Sequence, residues 1–302
     1  MLALLAPGQG SQTPGMLTSW LELPGAADRI SAWSESSGLD LARLGTTATA
    51  EEITDTAVTQ PLVVAATLLA WEELTKRGLL AGRDFIAAGH SVGEIAAYAI
   101  AGVLSCDDAV ALAATRGAEM AKACALEPTG MSAVLGGDEA EVLSRLEELD
   151  LVPANRNAAG QIVAAGSVAA LAKLAEDPPA KARVRQLATA GAFHTHYMAS
   201  AIEGYAAAAD GVTTAEPTAT LLSNADGKPV ASAADAMAKL VAQLTRPVRW
   251  DLCTQTLRES NVTAIVEFPP AGTLAGIAKR ELKGVPTHAV KTPADLDGLA
   301  EL

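Results

Sequence analysis

The pentapeptide Gly-His-Ser-Val-Gly at residues 89–93 sets Ser91 between two glycines, with an apolar run on either side. A nucleophilic serine on a sharp strand-to-helix turn needs glycine at both flanks, because a β-carbon there would collide with the tight backbone. The strand signal ends at His90 and the helix signal begins at Val92. The turn therefore puts Ser91 at a helix N-terminus, where free N–H groups and the helix dipole favour negative charge. The N–H of Val92 would point at the oxygen of a tetrahedral intermediate. A small-residue helix cap is the plain structural alternative, so the serine has to be judged by its partners.

A serine hydroxyl needs a base, and histidine is the usual one. The chain has four. His90 adjoins the serine but falls on the opposite strand alternation, which makes it a pocket wall. His288 stands among turn residues and reads as solvated, and His196 as the start of an exposed helix. His194, after Gly191-Ala192-Phe193, is the expected base. Its segment is where the chain leaves a small domain and re-enters a larger one, and domain junctions commonly form clefts. His194 and His196, two residues apart with no carboxylate in register, make a poor zinc site, so no metal is expected.

Arg116 is the third residue with chemistry to offer. On a helix over 105–124 it shares a face with Ala109, Leu112, Ala113, Met120 and Ala123, which points it at the core. A buried cation is costly unless paired. Its partner is either an acid of the protein, with Glu119 at i+3 the nearest, or a carboxylate on a substrate, which a guanidinium fork grips with two hydrogen bonds.

These residues need elements to hold them. LALLA (2–6) and FIAAGH (85–90) read as buried strands, and 59–78 and 92–104 as helices, the latter so apolar that it must be central. From about residue 130 the order becomes strand, helix, two strands, helix, strand, the split βαβ unit of a ferredoxin-like domain. Strands at 218–224 and 262–268 and helices around 195–210, 231–245 and 272–282 then return to the α/β pattern. The expected fold is a large parallel-sheet domain from residues 1–127 and 191–302, with a ferredoxin-like subdomain inserted over 128–190.

Half of the residues are apolar but only 3% are aromatic, so the core must be built from Ala, Val, Leu and Ile, which suits helices packed on a parallel sheet. A formal charge of −13 argues against a nucleic-acid binder and means that an acidic partner would need a local basic patch. Cys106, Cys124 and Cys253 lack CxxC spacing and read as reduced thiols. The first apolar run ends at Pro7, too short for a signal peptide or a membrane span, and a cytoplasmic protein is expected.

Taken together, PGQGSQ (7–12), TQP (59–61), GHSVGE (89–94), TRGAEM (115–120), NRNAAGQIVAAG (155–166), GAFH (191–194) and QLTRPVRW (243–250) fall in the order and spacing of a known family. Over essentially its whole length the sequence resembles the malonyl-CoA:acyl carrier protein transacylases and the similar acyltransferase domains of polyketide synthases. The resemblance implies an α/β-hydrolase-like large domain with a ferredoxin-like small one, and an active site between them. It implies Ser91 as nucleophile and His194 as base, with backbone N–H groups of Gln9 and Val92 as the oxyanion hole. By the same resemblance the backbone carbonyl of Gln243 orients the histidine, Arg116 binds the malonyl carboxylate, and Phe193 favours an unbranched acyl group.

The implied reaction passes malonyl from malonyl-CoA to acyl carrier protein through a malonyl-serine, with no resident cofactor or metal. The expected partners are acyl carrier protein and CoA, with no nucleic acid or membrane, and the expected state is a monomer. Lys181, Arg183 and Arg185, or Lys279, Arg280 and Lys283, with Arg246 and Arg249, are candidate docking cations. Two alternatives stay open at this point: a serine thioesterase or hydrolase, and a transacylase dedicated to a polyketide synthase.

Overall fold

The computed structural model describes residues 1–302. Nine strands form two separate sheets: β1 (Leu2–Ala6), β2 (Phe85–Gly89), β3 (Thr129–Gly136), β4 (Val152–Ala158), β5 (Gln161–Ser167), β6 (Ala182–Gln186), β7 (Thr220–Leu221), β8 (Ala264–Glu267) and β9 (Thr287–Ala289). The larger sheet is parallel throughout, in the order β7-β2-β1-β8-β9. Its chain path runs outward from β1 through β2 to β7, then crosses back to β8 on the other side of β1. A doubly wound sheet opens a crevice at the carboxyl ends of its strands where the direction of winding reverses. The loops after β1 and β2, carrying Gln9 and Ser91, leave the sheet there.

Residues alternate between the two faces of β1 and β2, and both faces are covered. Leu4, Ala6 and Ala87 join the larger core with the helices Thr56–Lys76, Gly93–Ile100 and Cys106–Cys124. Ala3, Leu5, Ile86 and Ala88 pack on the other side against Trp250, Cys253 and Leu257 of the helix Trp250–Glu259 and Leu274 and Ile277 of the helix Thr273–Glu281. Burial on both faces is what makes these strands continuously apolar in sequence.

The smaller sheet is antiparallel, in the order β4-β5-β3-β6, with the helices Glu139–Glu148 and Val168–Glu176 between its strands. This is the expected ferredoxin-like topology. Its helices close a core of Val134, Val142, Leu146, Ile162, Leu171 and Leu174. The other face of the sheet, with Met131 and Val163, packs into the core of the large domain. Backbone bonds from Val248 N–H to the Ala154 carbonyl (2.8 Å) and from Arg156 N–H to the Val248 carbonyl (2.9 Å) tie the two parts together.

Several elements differ from expectation. The helix expected over 92–104 runs only from Gly93 to Ile100, and Gly102, with a positive φ of 82°, turns the chain away. The strand expected at 218–224 is two residues long, because its end bends to bring Asn224 under the serine turn. The helix expected from residue 59 starts at Thr56, capped by the Asp55 carboxylate, so Pro61 lies inside it. His288, expected to be solvated in a turn, lies on β9, and its Nε2 is buried without a partner. The helices Ala26–Ser37, Leu41–Thr46 and Trp250–Glu259 were not foreseen in the sequence.

Candidate active site

β2 ends at Gly89, and two residues later the chain turns into the helix Gly93–Ile100. Ser91 sits at the apex with φ of 54°, the left-handed region that a side chain normally avoids. Such strain costs on the order of 1–3 kcal/mol and persists only where the surroundings enforce it. A Cβ on Gly89 would overlap the Gly93 carbonyl, and one on Gly93 would overlap the Ala6 carbonyl and lie 2.7 Å from that of Pro7. Only glycine fits at either position. Asn224 straps the turn: its Oδ1 accepts from Ser91 N–H at 2.8 Å and its Nδ2 donates to the Gly89 carbonyl at 2.8 Å.

His194 arrives from the loop after β6, also with a positive φ, 61°. Its loop is pinned by Ala192 N–H on the Thr129 hydroxyl and by the Thr195 hydroxyl on the Ala192 carbonyl. Nε2 lies 2.7 Å from Ser91 Oγ and Nδ1 lies 2.8 Å from the Gln243 carbonyl. A carbonyl can only accept, so Nδ1 carries the hydrogen and Nε2 presents its lone pair to the serine hydroxyl. Burial, with the Arg116 charge as a second cause, pushes the imidazole down to about 3, which keeps it neutral. The pair expected from sequence meets, although the two residues are 103 apart in the chain.

Both residues line a cleft of about 430 Å³ between the two sheets. Gln9 and Val92 line it as well, and neither of their backbone N–H groups is used by another residue. The Gln9 side chain is fixed by the Thr56 hydroxyl, which donates to its Oε1 at 2.8 Å. Phe193 and Met120 add apolar wall. His90 is held at the rim by Asn157, Nε2 to Oδ1 at 2.8 Å, and lies edge-on to Trp250.

Arg116 is 1% exposed, and its side-chain partners are both neutral. Nη1 donates to Gln60 Oε1 at 2.6 Å, Nη2 to Gln243 Oε1 at 2.8 Å, and Nε has no partner. Glu119 bonds Lys122 instead, which removes the intrahelical pair that sequence allowed. Of five N–H donors, two are taken. A buried guanidinium so incompletely compensated costs several kcal/mol, and an entering carboxylate would recover much of it.

Sequence reasoning assigned no role to four polar residues that the fold places here. Gln60 was visible only as part of TQP, and Glu94 only as the end of GHSVGE. Asn157 was visible only as part of NRNAAGQIVAAG, and Asn224 ended an expected strand with nothing to mark it. Glu94 is fully buried; its Oε1 accepts from Asn224 N–H and its Oε2 from Gln243 Nε2 at 2.5 Å. Burial pushes this carboxyl up to about 8, against the opposing pull of the Asn224 N–H and Arg116. An acid amid alanines on a wholly buried helix was the signal that could have found it.

With this geometry in place, likeness to known proteins becomes informative. Residues 4–294 match the family model described as an acyl transferase domain. The malonyl CoA-acyl carrier protein transacylase of Mycobacterium tuberculosis is 78% identical over 302 residues, with both chains covered in full. The chain belongs to this transacylase family. The transacylase of Mycolicibacterium smegmatis is 82% identical over 291 residues, covering 95% of this chain and all of that protein. The crystal structure of the M. tuberculosis protein superposes with a TM-score of 0.98, covering 99% of each chain. A malonyl-transacylase solved in complex with its type II polyketide synthase acyl-carrier protein is 30% identical, with a TM-score of 0.93 and 99% of each chain covered.

Proposed function

We propose that this acyltransferase moves a malonyl group from malonyl-CoA to the phosphopantetheine thiol of acyl carrier protein, supplying extender units for fatty acid and, where the carrier allows, polyketide synthesis. The observation that carries the reading is a serine–histidine pair sharing a cleft with a buried arginine that has no anionic partner. His194 takes the Ser91 proton as Oγ attacks the thioester carbon. The oxyanion is stabilised by the N–H groups of Gln9 and Val92, and preorganised donors of this kind are worth about 3–4 kcal/mol each. Collapse expels the CoA thiolate, which takes the proton back from His194. The malonyl-serine then waits with its carboxylate on Arg116 and its methylene against Phe193.

In the second half the carrier's thiol gives its proton to His194 and attacks the ester, so the carrier leaves acylated and Ser91 recovers its hydrogen. Gln243 does for His194 what an aspartate does in a serine hydrolase, fixing the tautomer, but brings no charge. A neutral orienter suits a transferase in which water must not be strongly activated. No metal or resident cofactor enters any step. A monomer suffices, because every group named comes from one chain, and no helix is long and apolar enough to cross a membrane.

The test is to mix the enzyme with radiolabelled malonyl-CoA, first without an acceptor and then with holo acyl carrier protein. The expected result is label on Ser91, absent in Ser91→Ala, that passes to the carrier on its addition. Rapid release of free malonate without acceptor would instead make the protein a hydrolase. Comparing carriers from fatty acid and polyketide systems in the second step assigns the pathway.

A further inference from the structure

Glu94 lies in the first turn of the helix after Ser91, and no part of its side chain reaches solvent. Burial disfavours its charge, yet both of its oxygens accept from N–H donors, the pattern of the ionised form, and no step of the acyl transfer uses this carboxylate. Its contacts lead into the site. Gln243 Nε2 donates to Glu94 Oε2 at 2.5 Å, while Oε1 of the same amide accepts from Arg116 Nη2 at 2.8 Å. A guanidinium only donates, so the amide must turn its oxygen to Arg116 and its NH2 the other way. On that other side stand Glu94, the Ser91 carbonyl at 3.2 Å and Asn224 Oδ1 at 3.2 Å, all acceptors.

We propose that Glu94 is a positioning residue for acyl-group selection: by accepting from the Gln243 amide it holds that amide's oxygen on Arg116 and keeps the guanidinium aimed at the substrate carboxylate. The inference rests on the reading of Arg116 as the carboxylate clamp. The other arm is set independently, since Gln60 holds Nη1 and has its own NH2 fixed by the Thr56 hydroxyl and the Met120 sulfur. Replacing Glu94 by glutamine puts an NH2 where the Asn224 N–H or the Gln243 NH2 requires an acceptor. The Gln243 NH2 then loses its shortest acceptor and is left with the Ser91 carbonyl and Asn224 Oδ1, both at 3.2 Å, which loosens the amide and its oxygen on Arg116. The carbonyl that orients His194 belongs to the Gln243 backbone, where Arg246 N–H also donates to it at 3.3 Å, and is spared.

The experiment compares rates of Ser91 acylation from labelled malonyl-CoA and labelled acetyl-CoA in the wild type, Arg116→Ala and Glu94→Gln. Glu94→Gln is expected to lose about tenfold of the malonyl-over-acetyl preference, the worth of one hydrogen bond to a charged group, through a higher KM for malonyl-CoA. Its acetyl rate is expected to stay within about threefold of wild type. Equal loss with both donors, or an unchanged preference, overturns the role of Glu94 while leaving the clamp standing. Wild-type preference in Arg116→Ala overturns the clamp and this inference with it. A neutron structure of the wild-type enzyme gives a reading that does not depend on any variant folding: deuterons on Gln243 directed at Glu94 support the proposal, and an amide nitrogen facing Arg116 overturns it.

Discussion

Two side chains, one charged and one neutral, decide what this site does. Arg116 is buried with neutral hydrogen-bond partners, and in the proposed reaction a substrate carboxylate supplies the missing anion. Arg116→Ala is expected to cut malonyl transfer and shift preference towards acetyl by about 10- to 100-fold, the range for one or two hydrogen bonds to a charge; paired donor assays measure it. His194 gives a pH prediction. With its imidazole pushed down to about 3, the base is neutral and ready throughout mildly acidic solution. The acylation rate should therefore stay flat between about pH 7 and pH 5, whereas an unperturbed imidazole would lose it near pH 6.5. Stability runs the other way: below about pH 6.5 the unfolded chain binds a proton on this histidine that the folded chain refuses, so His194 progressively favours unfolding as pH falls towards its folded value. At this scale sequence was informative. Ser91, His194 and Arg116 announced themselves by type and setting, whereas Gln60, Glu94 and Asn224 did not, since a buried amide or acid is identified only by what it faces.

The element that matters most is the turn from β2 into the helix Gly93–Ile100. Its glycines are required by backbone crowding: the strand, the turn and the end of β1 approach so closely that a methyl group has no room. Gly93→Ala is expected to destabilise the protein by about 1–3 kcal/mol, as overpacking does, and to lose malonyl labelling even where it folds. Urea unfolding and labelling on the same preparation measure both. Strand and helix positions around this turn could be read from apolar patterning. Their ends could not, because the stop at Ile100 and the shortness of β7 come from contacts with distant segments, such as Thr218 N–H on the Ala101 carbonyl. The His194 loop has no periodicity of its own and is held by Thr129, a residue of the small sheet.

Over the whole molecule, the cleft exists because a ferredoxin-like insertion lays its sheet across the carboxyl end of a doubly wound one. An acidic chain needs a local basic patch to receive an acidic partner, and exposed cations stand on the rim of this cleft. The helix Thr273–Glu281 lines the cleft with Thr273, Leu274 and Ile277 and ends in Lys279 and Arg280, and Arg280 reaches Gln161 on the opposite lip at 2.7 Å. Across the opening, Arg183 and Arg185 are exposed on the edge strand β6 and Lys181 just before it, and the continuation Leu187–Thr189 also lines the cleft. Arg249 is committed to Asp251 at 2.7 Å and offers less. Reversing Lys279 and Arg280 to glutamate is expected to raise the KM for acyl carrier protein severalfold while leaving malonyl-enzyme formation from malonyl-CoA intact, an effect that weakens with salt. Equal change in both half-reactions would place the dock elsewhere.

The sequence by itself determined the two-domain α/β plan, the serine turn, the base and the buried arginine. Each follows from local rules: periodicity, turn geometry, and the cost of placing a charge on an apolar face. Only the tertiary structure decided that Arg116 meets two amides and no acid, and that one glutamine joins it to Glu94, Ser91 and His194. Hydrogen bonds between residues 49 to 152 positions apart depend on where separate elements come to rest, and no local pattern records that.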